Sequence, residues 1–148
     1  MRADNTTRTV TSLSTEIIAR QDDLPEAIKR AFTRTVGRAK SCEQMMWREV
    51  AARMVLDAYG LTPETVRVYD GMDRFRYARY RTAVLSARAW FRDSGEDVEQ
   101  VFDMAGVELA PVLGSIRMLP PLLVPKSLGG REYTRRRTFG YIGKPVAA

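Results

Sequence analysis

The 148-residue chain contains no histidine and only one cysteine, Cys42. Without histidine the chain lacks the commonest general base and metal ligand, so carboxylates, tyrosine, lysine and one thiol remain for chemistry. A single cysteine excludes an internal disulfide and fits a reducing cytoplasm, and with no histidine to activate it we expect it to be inert. Glycine-rich phosphate loops and nucleophile elbows are also missing. The sequence therefore predicts no enzymatic activity, no cofactor and no metal site.

Long apolar runs are missing as well. The first residues are polar and rich in threonine, so no signal peptide is expected. No stretch approaches the ~20 apolar residues of a transmembrane helix. An apolar fraction of 45% and a charged fraction of 28% are ordinary for a globular protein, and a chain of this length can bury a core. We expect a cytoplasmic domain without a membrane partner.

The net charge of +6 conceals a strong segregation along the chain. Residues 67–92 hold seven arginines and two acids, residues 93–108 hold six acids and no cation, and residues 126–148 hold six cations and one acid. Arginine outnumbers lysine 20 to 4, and its planar guanidinium suits phosphate and carboxylate alike. This pattern favours charged partners, either nucleic acid or another protein.

Residues 97–119 predict two short amphipathic helices joined by a tight turn. We expect Ser94 to cap the first helix with Asp97 as its capping-box partner. Gly106 tolerates the left-handed backbone that ends a helix, and Pro120-Pro121 stops the second helix. The outline is that of a helix-turn-helix, whose second helix usually enters the major groove of DNA. Its apolar positions recur at helical spacing, as Val98, Val101, Phe102 and Ala105, then Leu109, Val112, Leu113 and Ile116.

Two interpretations of this unit remain open. As a DNA reader, the second helix would contact DNA through Ser115 and Arg117, but it offers no Asn, Gln or Lys for base edges. Phe102 stands where helix-turn-helix units usually have a small residue, and Ser115 stands where an aliphatic residue is usual. The alternative is a structural helical hairpin, which is common in bundles.

Upstream periodicity predicts further helices, and therefore an all-α fold organised as a small helical bundle. A helical turn or two is expected at Leu13–Arg20, followed by a helix over Pro25–Ala39 with Ile28, Ala31, Phe32, Thr35 and Val36 as its apolar stripe. Ser41 and Gln44 form a capping box for the next helix, Glu43–Tyr59, which Gly60 closes. A short helix restarts at Thr62 and breaks at Asp70-Gly71. The expected core positions of Glu43–Tyr59 are Met46, Trp47, Val50, Ala51, Met54, Val55 and Ala58.

The third long helix is predicted over Asp73–Arg92. It shows two adjacent stripes: an apolar one of Phe75, Ala78, Thr82, Leu85 and Ala89, and a basic one of Arg74, Arg81, Arg88 and Arg92. The basic stripe can grip phosphates or a partner's carboxylates, or it can pair internally with the neighbouring acidic run, Asp93–Glu108. Aromatic residues also alternate with cations here, as in single-strand binders. On a helix they point in different directions, so no shared stacking platform is expected.

The domain organisation follows from these elements. Residues 1–12 are expected to be a flexible N-terminus, residues 13–119 the helical domain, and residues 120–148 a proline-broken linker with an extended basic tail. The tail can be a phosphate-backbone arm, a segment that docks on an acidic protein surface, or a disordered solubilising end. Its cations are Arg131, Arg135, Arg136, Arg137 and Lys144, among Tyr133, Phe139 and Tyr141.

Residues 44–117 resemble small proteins of alphaproteobacterial phages and prophages. The residues that carry the resemblance are Trp47, the stretch Ala87–Phe91, Asp97-Val98, Val101 and Ala105-Gly106-Val107. Such proteins are often suspected of binding DNA as regulators or as small terminase subunits in packaging. The chain departs from them at Glu108–Pro111, where they continue with proline and then arginine-rich sequence. The resemblance implies a phage context and assigns no site residue.

The sequence thus predicts a non-catalytic protein that binds double-stranded DNA, as a transcriptional regulator or a packaging accessory. The alternative is a protein-interaction module that binds a transcription-machinery or phage structural component through its arginine-rich and acidic faces. A homo-oligomer is compatible with both. The candidate DNA contacts are Arg74, Arg81, Arg88, Ser115, Arg117, Arg131, Arg135, Arg136, Arg137 and Lys144.

Overall fold

The computed structural model describes residues 13–34, 41–61, 71–130 and 132–133. The expected all-α class is confirmed, since the described part is helical apart from one short strand pair and a 3-10 turn. Thr35, Val36 and the short helix expected at Thr62 lie outside the described residues. The elements are α1 (Leu13–Arg20), α2 (Glu26–Arg34), α3 (Cys42–Tyr59), α4 (Arg74–Asp93), α5 (Gly95–Ala105), α6 (Ala110–Arg117), β1 (Leu122–Leu123), the turn Lys126–Leu128 and β2 (Glu132–Tyr133).

Local sequence signals set both ends of α3. The Ser41 hydroxyl accepts a hydrogen bond from the backbone N–H of Gln44 at 3.0 Å, which confirms the predicted cap. At the other end Gly60 has φ 69°, in the left-handed region. The Leu61 N–H then donates to the Leu56 carbonyl at 2.8 Å, which ends the helix in a Schellman motif.

A carboxylate from α3 anchors the first turn of α1. The Ser14 backbone N–H donates to Glu49 at 3.0 Å, and the Ser14 hydroxyl donates to the other oxygen of the same carboxylate. The negative charge also complements the positive end of the helix dipole. An eight-residue helix is too short to persist alone in water, so this contact and the burial of Ile18 hold α1 on the domain.

An aromatic cluster around Phe102 forms the centre of the core. The Phe102 ring lies edge-on to Phe32 of α2, with centroids 6.2 Å apart, and to Phe91 of α4 at 5.9 Å. Such edge-to-face pairs add about 0.5–1.5 kcal/mol each beyond area burial. The position where a helix-turn-helix usually has a small residue therefore ties α2, α4 and α5 together.

The buried face of α3 differs from the predicted one. Met46 is 54% exposed and Val50 36% exposed, so their assignment to the core was wrong. The prediction favoured large apolar side chains, whereas small side chains allow neighbouring helices to pack closely at interior density. Trp47 and Met54 pack at the edge of this interface. The residues that α3 buries are Arg48, Ala51, Ala52, Val55, Leu56 and Ala58.

The buried face of α4 was also predicted wrongly. Phe75, which was expected in the core stripe, is 82% exposed, and Thr82 is exposed too. Apolar residues occur on both sides of this helix, and the packing of Phe91 against Phe102 decides which side turns inward. The side chains that α4 buries are Tyr77, Val84, Ala87 and Phe91.

Residues 120–127 form a strap that lies along α4, and this strap is extended as far as Pro125 before it enters the turn Lys126–Leu128. Arg88 Nη1 donates to the Pro120 carbonyl at 2.8 Å, and the Ser127 hydroxyl donates to the Met72 carbonyl, just before α4, also at 2.8 Å. The strap therefore runs from the C-terminal part of α4 back to its start. Leu122 within it is 4% exposed.

β2 pairs antiparallel with β1 and places Tyr133 opposite Leu122, so the chain returns to the middle of the strap.

Candidate nucleic-acid interface

The first half of α4 has the densest run of cations in the described part of the chain. Within the arginine-rich segment, residues 74–81, there are four arginines and no acid. Arg74, Arg76 and Arg79 are exposed, and Arg81 is half-buried. The Asp73 carboxylate accepts the Arg76 backbone N–H at 2.8 Å and caps the helix. The segment therefore presents a concentrated positive charge on a rigid element.

The aromatic residues of this segment have different environments. Phe75 is 82% exposed, whereas Tyr77 is 5% exposed. The Tyr77 and Tyr80 rings stack on each other with centroids 6.2 Å apart. The expectation that these aromatics point in different directions is therefore wrong for Tyr77 and Tyr80, and Phe75 is the most exposed ring of the three.

Arg88 is half-buried and is held by two backbone carbonyls. Its Nε donates to the Ala58 carbonyl in the last turn of α3 at 2.9 Å, and its Nη1 donates to Pro120. Burial lowers the pKa of this guanidinium, while the nearby Tyr80 and Tyr59 oppose that shift. Its hydrogen-bond partners are therefore backbone carbonyls of α3 and of the strap.

Asp93, the first residue of the acidic run, is a partner of Arg92 in the basic stripe. Arg92 donates to both oxygens of Asp93, at 2.8 and 2.9 Å. This hydrogen bonding raises the pKa of Arg92. Both side chains are about half exposed, at 46% and 58%, so the pair contributes little to stability.

The turn between α5 and α6 has the predicted backbone. Gly106 has φ 69°, and the Val107 N–H donates to the Phe102 carbonyl at 3.0 Å, which is a Schellman motif. The predicted capping box of Ser94 and Asp97 is wrong, because the Ser94 side chain makes no capping bond. Ser94 is a one-residue junction whose N–H donates to Trp90 of α4 at 3.1 Å. Its φ of −106° and ψ of 47° are not those of an extended cap residue.

The outer surface of α6 has little positive charge. Val112 and Ile116 are buried, as predicted, and Leu109 and Leu113 pack against the core. Arg117 is exposed and Ser115 half-buried. The remaining exposed positions of the helix are Ala110 and Gly114. This face offers one cation and no base-reading amide.

An acidic cleft adjoins α6. Its volume is about 590 Å³, and its carboxylates repel phosphate through their summed field. The apolar part of its lining suits a partner with hydrophobic side chains. The lining residues are Glu96, Glu99, Gln100, Phe102, Asp103, Val107 and Leu109.

The fold does not gather all the predicted DNA contacts. Arg117 lies three residues before Pro120, whose carbonyl accepts a hydrogen bond from Arg88 of α4. Arg88 and Arg74 are 14 residues apart in α4, about 21 Å along the helix. Arg117, at the end of α6, therefore lies toward the C-terminal part of α4, away from Arg74 at the start of that helix. The five tail cations, Arg131, Arg135, Arg136, Arg137 and Lys144, lie outside the described residues.

Sequence reasoning missed Arg48. This residue is 6% exposed, and its Nε donates to the Ala105 carbonyl at the end of α5 at 2.8 Å. Burial lowers the pKa of its guanidinium. The only signal in the sequence is spacing, since Arg48 precedes Ala51, Ala52 and Val55 by three, four and seven positions and so shares their helical face.

No family model, curated protein or solved structure matches this chain. Among the described residues, no helix has the length and apolar character needed to span a bilayer. The same part of the chain contains no cluster of metal-ligating side chains.

Proposed function

We propose that this is a non-catalytic DNA-binding protein that contacts the phosphate backbone of double-stranded DNA through the arginine-rich segment and the C-terminal tail. The observation that carries the proposal is the charge of the segment, with four arginines and no acid between residues 74 and 81. Guanidinium groups on one rigid helix suit successive phosphates.

The strand pair supports a role for the tail in binding DNA together with α4. β2 ends at Tyr133, opposite Leu122 of the strap that lies along α4. Residues 134–148 follow, with four cations and no acid. A chain of that length spans up to about 50 Å when extended, so its cations can reach the phosphates beside those that α4 contacts.

The α5–α6 hairpin has the outline of a helix-turn-helix but serves mainly as scaffold in this proposal. Its acidic cleft and its single exposed cation, Arg117, are unfavourable for DNA. Sequence-independent backbone contacts suit a packaging accessory or an architectural regulator in a cytoplasmic, phage-like setting. Binding of this kind is strongly dependent on salt.

Paired variants test the proposal with a fluorescently labelled duplex. Arg74→Gln/Arg79→Gln should weaken binding several-fold, because two phosphate contacts are lost. Arg30→Gln/Arg34→Gln removes the same charge from exposed positions of α2 and should have little effect. A separate variant with Arg135, Arg136 and Arg137 changed to Gln should weaken binding as well. Equal affinity in the α4 and α2 variants would refute the role of α4.

The acidic cleft favours a second candidate function, a protein-interaction module for a basic partner. Glu99 and Asp103 lie one helical turn apart beside an apolar floor, and carboxylates bind arginine side chains in bidentate fashion. A labelled arginine-rich peptide should bind the wild-type chain and fail to bind Glu99→Lys/Asp103→Lys. The matched control is Glu16→Lys/Asp22→Lys, at exposed acids elsewhere, and it should retain binding.

A further inference from the structure

Phe75 is far more exposed to solvent than the other large apolar side chains of α4. It is 82% exposed, although a phenyl ring gains substantially from burial. Phe91 of the same helix is 5% exposed. A single exposed apolar side chain is common on protein surfaces, so the chemistry of its neighbours decides whether this ring is a ligand contact.

The neighbours of Phe75 define the chemistry of that ligand. Arg74 precedes it, and Arg79 lies four positions further along the helix, so Arg79 shares its face. Arg74 and Arg79 are both exposed. The described acid nearest to Phe75 in the sequence is Asp73, whose carboxylate caps the helix. A flat apolar surface between guanidinium groups matches a nucleotide, with its base on the ring and its phosphates on the arginines.

We infer that Phe75 stacks on an unpaired base, so that the arginine-rich segment binds DNA with single-stranded or unstacked nucleotides more tightly than intact duplex. This inference rests on the proposed function and specifies the form of DNA that the same site prefers. Insertion of the ring between paired bases is the less favourable alternative, because unstacking a duplex step costs at least as much as one stacked ring returns.

The test compares two labelled probes, an oligothymidine and a duplex of equal length, by fluorescence anisotropy with the full chain. Phe75→Ala should weaken oligothymidine binding about tenfold, the effect of losing one stacked base, and should change duplex binding less than twofold. Phe75→Trp should keep the affinity, and its added indole fluorescence should be quenched by the bound bases. Met118→Ala is the matched control, because Met118 is also 82% exposed.

The outcomes separate this inference from the proposed function. If Phe75→Ala binds both probes like the wild type while Arg74→Gln/Arg79→Gln loses affinity, the stacking role is refuted and DNA binding stands. Equal losses on both probes, or an unquenched indole in Phe75→Trp at saturation, would also refute it. If the wild type binds neither probe, both proposals fail together.

Discussion

The Arg48 guanidinium donates a 2.8 Å hydrogen bond to the Ala105 carbonyl, across 57 residues of sequence. This carbonyl precedes Gly106, whose left-handed backbone ends α5. Arg88 makes a similar contact with Ala58, close to Gly60 at the end of α3. In both cases an arginine from another helix satisfies a last-turn carbonyl and its charge complements the negative end of the helix dipole. Part of the arginine content is therefore structural.

The first prediction concerns Arg48. Arg48→Met should lower the free energy of unfolding by about 2 kcal/mol, because the buried Ala105 carbonyl loses a charged donor. Arg117→Gln is the control at an exposed position and should change stability by less than about 0.5 kcal/mol. Urea denaturation followed by circular dichroism measures both. Equal stability of the two variants would show that the Arg48 contact contributes nothing.

The second prediction separates structural from functional arginines within α4. Arg88→Gln should destabilise the fold by about 2 kcal/mol, because two carbonyls lose their charged partner, whereas Arg74→Gln should change stability by less than about 0.5 kcal/mol. Thermal and urea unfolding measure the difference. The interpretation of Arg88 as an internal contact is wrong if its variant unfolds like the wild type.

The third prediction compares two glycines. Gly106→Ala should cost about 1–2 kcal/mol for the left-handed backbone, and its Cβ would lie 2.6 Å from Gln44 Nε2, a flexible side-chain end that can move. Gly114→Ala, in the middle of α6 with open space around it, should stabilise the protein by about 0.5–1 kcal/mol. Opposite signs in urea denaturation are expected, and a neutral Gly106→Ala would contradict the assigned turn.

The sequence was sufficient for helix boundaries where capping and turn residues are decisive. Ser41 and Gly60 mark the ends of α3 because their preferences are local. The sequence was insufficient to predict which face of α3 and of α4 is buried, because that depends on the helices packed against them. Phe75 and Phe91 are equally apolar, and tertiary packing, including the contact with Phe102, places Phe91 in the core.

The candidate site was predictable to a similar degree. The arginine-rich segment that contains Arg74 and Arg81 is visible in the sequence. The hydrogen bonds from Arg88 to the carbonyls of Ala58 and Pro120 are not, because they form only when the helices pack together. The spacing of residues along one helix cannot predict a hydrogen bond to a carbonyl that is 30 residues away in the sequence.

The fourth prediction concerns Tyr59. Burial raises its pKa from 10.0 to about 12, although nearby Arg88 opposes the shift. The protonated phenol is favoured in the fold, so its contribution to stability is present below pH 10 and lost as the pH rises through about 12. Tyr59→Phe should remove this part of the alkaline loss of stability, measured by urea denaturation below pH 10 and near pH 12.

The Tyr59 variant also tests the hydroxyl at neutral pH. Among the described residues this buried oxygen has no hydrogen-bond partner. Tyr59→Phe should therefore raise the free energy of unfolding, by about 1 kcal/mol. A loss of stability would instead indicate that the hydroxyl has a partner in the folded protein.

The salt dependence of duplex affinity is the most direct test of the central claim that α4 binds DNA phosphates. Each phosphate contact contributes about 0.9 to the slope of log affinity against log salt, so Arg74→Gln/Arg79→Gln should lower that slope by about 1.8. Arg30→Gln/Arg34→Gln, with the same net charge, should keep the wild-type slope. A wild-type slope in the Arg74→Gln/Arg79→Gln variant would contradict phosphate binding by the arginine-rich segment.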